Sequence, residues 1–316
     1  MSLHIVIGAG PVGTATARLL AERGDRVRLI TRRGTGPEHP GIERIAADAT
    51  DASALITHST GASALYQCAQ PEYHRWATDF PPLAAAVTQT AEATGAVLIS
   101  VGNLYGYGET DAPITEQQPQ RPNSVKGRVR AQIWAEALAA HQAGRIRTAE
   151  VRGSDYLGAE ANSAFTVVVL PAVLAGKKAL FPGDPDAPHS WTYIGDMART
   201  LVAVADDENA WGRAWHAPTA APMSIRALAD LAATTAGAPA ARVARMPASI
   251  LWAAGLFNTS AREMREVRYQ FDRPFVVDSS AATAAFGIQP TETKAAIAAT
   301  IDALRDPGKH VPAQRK

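Results

Sequence analysis

"VIGAGPVGTATARLLAERGDRVRLITRRG", Val6 to Gly34, decides the fold. The stretch completes a short apolar run, "LHIVIG", which breaks into glycines and reads as a strand. "TATARLLAERG" then spaces its apolar residues at helical intervals and stops at Gly24, a residue suited to closing a helix. "RVRLIT" alternates and is rich in branched side chains, so it reads as a second strand. Between strand and helix, Gly8, Gly10 and Gly13 form G-x-G-x-x-G. The first glycine permits the tight turn, the second admits a pyrophosphate close to the backbone, and the third lets helix and strand pack. The amino end of the helix turns its free N–H groups toward the phosphates. The stretch reads as a dinucleotide site.

Its last residues bear on which dinucleotide. An acid closing the second strand holds the ribose hydroxyls of NAD and repels a 2′-phosphate. Here Thr31 is followed by Arg32 and Arg33, and a guanidinium can fork onto a phosphate. These residues favour NADP (NADPH) over NAD. Asp48, with Ala49, closes the third strand, either beside an adenine amine or as a helix cap.

The chain continues the alternation. "GIERIAADATD" holds a short strand and "ASALYQCAQ" a fourth; "FPPLAAAVTQTAEATG" is a helix closed by Gly95, and "AVLISVG" a fifth strand. "SVKGRVRAQIWAEALAAHQAG" is a long helix and "IRTAEVRG" a sixth strand. Strands alternating with helices imply an α/β fold, a Rossmann-type doubly wound parallel sheet. Beyond Gly153 the rhythm turns to Pro- and Gly-rich loops with separated helices, which reads as a smaller C-terminal substrate-binding cap. The expected division is 1–160 with about 191–215 as the dinucleotide domain, 161–190 and 216–310 as the cap, and 311–316 as a frayed tail.

Composition bounds the function. The 316 residues are 47% hydrophobic and 19% charged, which supports a large core. A formal net charge of +1 provides no basic field for nucleic acid. One cysteine, Cys68, excludes an internal disulfide and suits a reducing cytoplasm. The apolar run "AFTVVVLPAVLAG" is broken by Pro171 and falls short of the roughly 20 residues that span a bilayer. No metal-ligand spacing stands out. The expectation is a cytoplasmic protein with a small-molecule substrate, no nucleic-acid or membrane partner, and a possible homodimer through the long helix.

Taken together, "GAGPVG", "ADAT", "YQCAQ", "ISVGNLYGYG", "RGSDYLG" and "WTYIGDMART" resemble the extended short-chain dehydrogenase/reductase superfamily, in its NAD(P)-dependent epimerase/dehydratase-like group. The resemblance spans about residues 3–200. It implies that Gly8, Gly10, Pro11, Val12, Gly13, Thr31, Arg32, Arg33, Asp48, Ala49, Ala69 and Gln70 hold the cofactor. It also implies a catalytic Ser/Thr, Tyr and Lys, the last two four residues apart and so stacked on one helical face.

The sequence departs from that pattern. The Ser/Thr place falls on Val101. In "PNSVKGRVRAQ" one register sets Ser124 for Tyr and Arg128 for Lys, and another sets Pro122 for Tyr and Lys126 for Lys. Neither contains a tyrosine. Tyr105 is the first substitute proton donor; Lys126 or Arg128 would hold the ribose or face a developing oxyanion, and His74 is a further titratable candidate. Each also has a plain reading, as a packed ring or a solvated helix face. Tyr73, Trp76 and Asn103, with Asp155, Tyr156, Asn162, His189 and Trp191 from the cap, would line the substrate pocket. Asp155 repels a phosphate, which favours a neutral, largely apolar molecule. An NADPH-dependent oxidoreductase is the leading expectation. A non-catalytic NADP-sensing protein, or an isomerase or cyclase using the same pocket, stands beside it.

Overall fold

The computed structural model describes residues 1–247, 250 and 259–305. The expected tail at 311–316 lies outside the described residues. Parallel strands β1 (Leu3–Ile7), β2 (Arg26–Thr31), β3 (Ile42–Ala46), β4 (Ala64–Gln67), β5 (Val97–Asn103) and β6 (Thr148–Gly153) carry the sheet. A seventh, Ala214–His216, pairs with β6, and the spatial order is seventh-β6-β5-β4-β1-β2-β3. The order reverses between β1 and β4, the place where such sheets bind ligands beyond the strand ends.

Helix α1 (Pro11–Glu22) follows the glycine turn, with Pro11 in its first turn. The short helix α2 (Ala52–Ser59) is not apparent in the apolar pattern; Asp51 caps it, accepting from the Ala54 N–H at 3.1 Å. Asp48 is not that cap: its carboxylate accepts from the Thr50 N–H and hydroxyl, both at 2.9 Å. Helix α3 (Trp76–Thr94) ends at Gly95, whose φ of +69° closes the last turn. Helix α4 (Val125–Gln142) begins at Ser124, whose hydroxyl accepts from the Gly127 N–H at 3.0 Å.

The sheet is buried on both faces. Val6, Leu29, Ile99, Met197 and Leu201 pack on one side, and Ile5, Ile7, Leu65, Phe80 and Val87 on the other. A third cluster, with Phe165, Leu170, Phe181, Leu228 and Ile297, forms the core of the C-terminal region. Two small parallel pairs frame that region: Asp155–Leu157 with Trp191–Tyr193, and Lys178–Phe181 with Arg242–Arg245. Asp196, buried at the start of the helix Ile194–Asp206, accepts from the Thr291 N–H at 2.6 Å and its hydroxyl at 2.7 Å. That carboxylate ties the sheet side to the chain near the last helix. No helix among the described residues is long and apolar enough to cross a membrane.

A buried polar chain braces the sheet edge. Arg152 donates to the Tyr107 hydroxyl at 2.5 Å, Tyr107 bonds His216 Nε2 at 2.9 Å, and His216 Nδ1 meets the Asp278 carbonyl at 2.8 Å. A carbonyl only accepts, so Nδ1 carries the ring proton and Nε2 accepts from the phenol. Glu150 pairs with Arg152 at 2.6 Å, and Glu116 accepts from the His216 backbone N–H at 3.0 Å. Burial holds the His216 imidazole below its ordinary pKa, against the opposing pull of Glu116. The folded state therefore binds this proton less readily than the unfolded chain. The resulting stability is present above about pH 6.5 and declines as pH falls toward the folded value, by up to about 1.4 kcal/mol per pH unit. Urea melts from pH 7 to 5 should give a shallower pH dependence for His216→Gln than for the wild type; parallel curves would refute this.

Candidate active site

The glycine turn shapes an anion cradle. Gly8 has φ +100°, and a Cβ there would lie 2.6 Å from the Ala69 backbone. A Cβ on Gly13 would run into the Gly8 carbonyl and come within 3.1 Å of Cys68 Cβ. Gly10 differs: its backbone is extended, at φ −71° and ψ 179°, and nothing among the described residues lies within 4 Å of a Cβ built on it. The open space over Gly10 faces the amino end of α1, where N–H groups await an anion. Val12 is buried beneath, and burial pushes the Cys68 thiol up to about 12, so it packs as a neutral side chain.

At the end of β2 the Thr31 hydroxyl accepts from the Thr35 N–H at 2.8 Å and folds a short loop. That loop leaves Arg32 and Arg33 exposed. Asp48 stands across from it. Hydrogen bonds from Thr50 hold its carboxyl below the usual range, with a smaller contribution from Arg32. Ala49 packs on the sheet, Ala69 accepts from the Gln67 amide at 2.8 Å, and Gln70 is exposed.

Aromatic side chains gather at the carboxyl ends of β4 and β5. The Tyr73 hydroxyl donates to the Tyr105 hydroxyl at 3.2 Å, which leaves the Tyr105 proton free to be donated elsewhere. Trp76 sits edge-on to Tyr73, with centroids 5.1 Å apart, and lies 6.1 Å from Tyr105. Its indole N–H donates to the Pro71 carbonyl at 3.2 Å. Asn103 accepts from the Tyr105 N–H at 3.2 Å and so fixes the turn that carries the phenol. Burial pushes Tyr105 up to about 12, and the Asp155 charge adds to the shift.

On α4 the inward face carries Lys126 and Arg130, one helical turn apart. Arg128 is exposed. Ser124 is occupied as the helix cap. The inward pair is thus neither Ser124 with Arg128 nor Pro122 with Lys126. Lys126 Nζ is bonded to Glu263, lies 3.6 Å from Glu266, and sits 4.4 Å from the Tyr73 ring centroid. Glu266 also accepts from the Lys126 backbone N–H at 2.6 Å. Both glutamates come from the helix Thr259–Val267. The Arg130 guanidinium lies 4.6 Å from Trp76 and 4.4 Å from Phe80, and donates to the Val101 carbonyl at 2.9 Å.

From the cap side come Asp155 and His189, paired at 2.9 Å. Tyr156 is close enough to Arg130 and Asp155 to feel both charges. The Tyr156 hydroxyl and Arg130 Nε are buried without a hydrogen-bond partner among the described residues. Trp191 is a core residue, its indole N–H donating to the Met223 carbonyl at 2.8 Å. Asn162 is exposed, and His74 faces solvent, 3.7 Å from Glu72. Residue-by-residue reading missed Arg130, Glu263 and Glu266. Counting four residues on from Lys126 would have found Arg130; the glutamates sit 137 and 140 residues away in sequence. Among the described residues no group of three His, Cys, Asp or Glu could hold a metal ion.

The sheet and the glycine cradle define a dinucleotide-binding α/β protein, with an aromatic and charged cluster beyond the strand ends. Residues 4–215 match the model of the NAD dependent epimerase/dehydratase family, and the chain belongs to that family. Similar solved structures include the Bordetella bronchiseptica enzyme WbmH in complex with NAD+, at 19% identity and TM-score 0.76, over 98% of this chain and 100% of that one. Another is UDP-glucuronic acid 4-epimerase from Bacillus cereus in complex with UDP-glucuronic acid and NAD, at 17% identity and TM-score 0.78, over 96% and 99%. A third is a double mutant of DesIV, a dTDP-glucose 4,6-dehydratase from Streptomyces venezuelae, at 20% identity and TM-score 0.75, over 97% of each chain. At such identities the likeness is one of fold. No curated protein matches the chain.

The residues fit the nicotinamide dinucleotide that the family implies. The space over Gly10 would take the pyrophosphate, and Arg130 Nε and the Tyr156 hydroxyl are buried polar atoms without a hydrogen-bond partner among the described residues.

Proposed function

We propose that this chain is an NADP(H)-dependent oxidoreductase acting on a neutral, largely apolar small molecule. The observation that carries the substrate reading is the charge pairing at the site. Lys126 is opposed by Glu263 and Glu266, and Asp155 adds a further carboxylate beside His189. An arriving diphosphate would meet carboxylates and an ammonium that is already paired. The similar enzymes whose structures contain UDP-glucuronic acid or UDP-glucose set the alternative.

The dinucleotide, when bound, supplies or takes the hydride. The chain's own residues position the reactants and move a proton. Gly8, Gly10, Pro11 and Gly13 would hold the pyrophosphate on α1, and Arg32 or Arg33 the 2′-phosphate. Tyr105 would donate a proton to a substrate oxygen, its phenol oxygen fixed by Tyr73. Lys126 stands where the substrate side meets α4, with Glu263 and Glu266 holding its ammonium. Arg130 brings a buried positive charge toward the strand ends.

Calorimetry tests the cofactor preference. NADPH should bind more tightly than NADH, and Arg32→Ala should narrow the gap by about 1.5–3 kcal/mol, the range for a hydrogen bond to a charged group. Equal affinities in the wild type would defeat this. An NADPH-oxidation screen over enones, imines, quinones and aldehydes tests the chemistry. Tight NADPH binding without turnover on any of them would favour a second reading, a protein that senses the dinucleotide. The specific observation behind that reading is Lys126, with no phenol, on the inward face of α4 one turn from a second cation.

A further inference from the structure

Arg130 is a buried cation without a counter-ion. Only 5% of the residue is exposed, and no carboxylate among the described residues lies within 4 Å of its guanidinium. The acids nearby are engaged elsewhere: Glu263 and Glu266 hold Lys126, and Glu150 holds Arg152. An arginine does not escape burial by giving up its proton. Burial draws its pKa down, and Glu150 with the phenols of Tyr156, Tyr105 and Tyr73 opposes that shift, so the tyrosines of the site lie within the field of the guanidinium. Its donors are unequally used. Nη1 bonds the Val101 carbonyl at 2.9 Å, and Nε is sealed without a hydrogen-bond partner among the described residues. Nη2 has no partner among them either, yet it is not sealed, so it reaches accessible space. The Trp76 and Phe80 rings, 4.6 and 4.4 Å away, attract the cation but supply no counter-charge. A buried charge in this state is costly, and it marks a place where negative charge arrives.

We infer that Arg130 is the oxyanion-stabilising cation of the site, and that the substrate is a neutral carbonyl compound whose oxygen meets Nη2 as it gains negative charge. Val101 stands where the family resemblance implies a hydroxyl, and valine has none; the guanidinium is anchored on the carbonyl of that same residue. In the reaction the hydride adds to the carbonyl carbon and the C=O π pair moves onto oxygen beside Arg130. Tyr105 gives that oxygen its proton, and solvent reprotonates the phenolate left behind. A carbonyl carries only partial negative charge before the hydride arrives, so the guanidinium acts chiefly on the developing alkoxide. The same field opposes a substrate that must become cationic, which sets imines, activated as iminium ions, behind aldehydes, enones and quinones. One accessible nitrogen suits a single oxygen. A phosphate asks for a fork of donors, and here Nε is sealed and Nη1 is taken. The inference deepens the oxidoreductase reading and rests on it.

4-Nitrophenol reads this site without turnover, because its ionised form carries an oxyanion and is yellow. The full chain saturated with NADPH, whose nicotinamide ring is uncharged, is titrated with the probe at the pH where the free phenol is half ionised, and binding is followed by absorbance and calorimetry. The wild type should hold the phenolate at least about tenfold more tightly than the neutral phenol, the range for a hydrogen bond to a charged group. Affinity over phenol, 4-cyanophenol and 4-nitrophenol should rise with their acidity. Arg130→Met should bring the preference to within about twofold, and Arg130→Lys should keep part of it. With a carbonyl substrate from the screen, Arg130→Met should lower kcat by roughly 10²–10³-fold and leave the KM for NADPH nearly unchanged. Unchanged NADPH affinity shows that a variant has folded; if Arg130→Met fails that control, Arg130→Lys carries the comparison. Equal binding of phenol and phenolate overturns the inference. So does a preference that survives in Arg130→Met, binding of none of the probes, or imines turned over faster than every carbonyl compound. Failure of the oxidoreductase reading looks different: NADPH does not bind or no screened substrate turns over, while the phenolate preference, measured also on the chain alone, stands and depends on Arg130.

Discussion

Gly10→Val should yield a folded protein that no longer binds a nicotinamide dinucleotide. The two halves of this result have separate causes. Gly10 has ordinary extended dihedrals, so valine fits the backbone without strain. Nothing among the described residues lies within 4 Å of the new Cβ, so the side chain starts in open space. The branched side chain instead fills the cradle at the amino end of α1 and keeps a pyrophosphate from the N–H groups. The same change at Gly13 would be a poor test, because a Cβ there strikes the Gly8 carbonyl and loss of binding would be confounded with loss of structure. Circular dichroism with calorimetry against NADPH and NADH distinguishes the outcomes. Undiminished binding by a folded Gly10→Val would move the site elsewhere.

Tyr105→Phe should lower kcat by roughly 10²–10⁴-fold, the span of a positioned general acid, once the NADPH-oxidation screen has provided a substrate. The variant loses the one hydroxyl whose oxygen is fixed by Tyr73 and whose proton has no acceptor among the described residues. Burial already pushes this phenol up to about 12, so as a proton donor it would give its proton only to a strongly basic oxygen. Phenylalanine also leaves the Tyr73 hydroxyl without its acceptor, which costs about 1–3 kcal/mol of stability. The decisive reading is therefore kcat measured well below the melting point, with the KM for NADPH as control. A rate within about threefold of wild type would dismiss Tyr105 and direct attention to ordered water. His74 is a poorer replacement, since it faces solvent beside Glu72.

The dinucleotide half of the protein was legible because its determinants are local. A glycine spacing, a strand before it and a helix after it lie within residues 3–31, and each is a statement about backbone sterics or periodicity. The helix closed by Gly95 and the strand "RVRLIT" follow from the same kind of signal. Helix α2 escaped notice because eight residues with little apolar periodicity carry a weak pattern. The substrate side was only partly legible. Tyr105, Tyr73, Trp76, Lys126, Asp155 and His189 were singled out by residue type and by their place after strands. Arg128 was singled out too, yet it points to solvent while Arg130 points inward, a difference of half a helical turn.

By itself, then, the sequence determined a parallel α/β sheet with a glycine cradle, a basic pair after the second strand, and a long helix without the tyrosine that the family resemblance implies. Only the tertiary structure decided which cations are spoken for. Glu263 and Glu266 reach Lys126 across 137 and 140 residues, and Asp155 meets His189 across 34. No periodicity encodes such contacts, because chain folding brings the partners together and the charge balance of the site exists only after packing has done so.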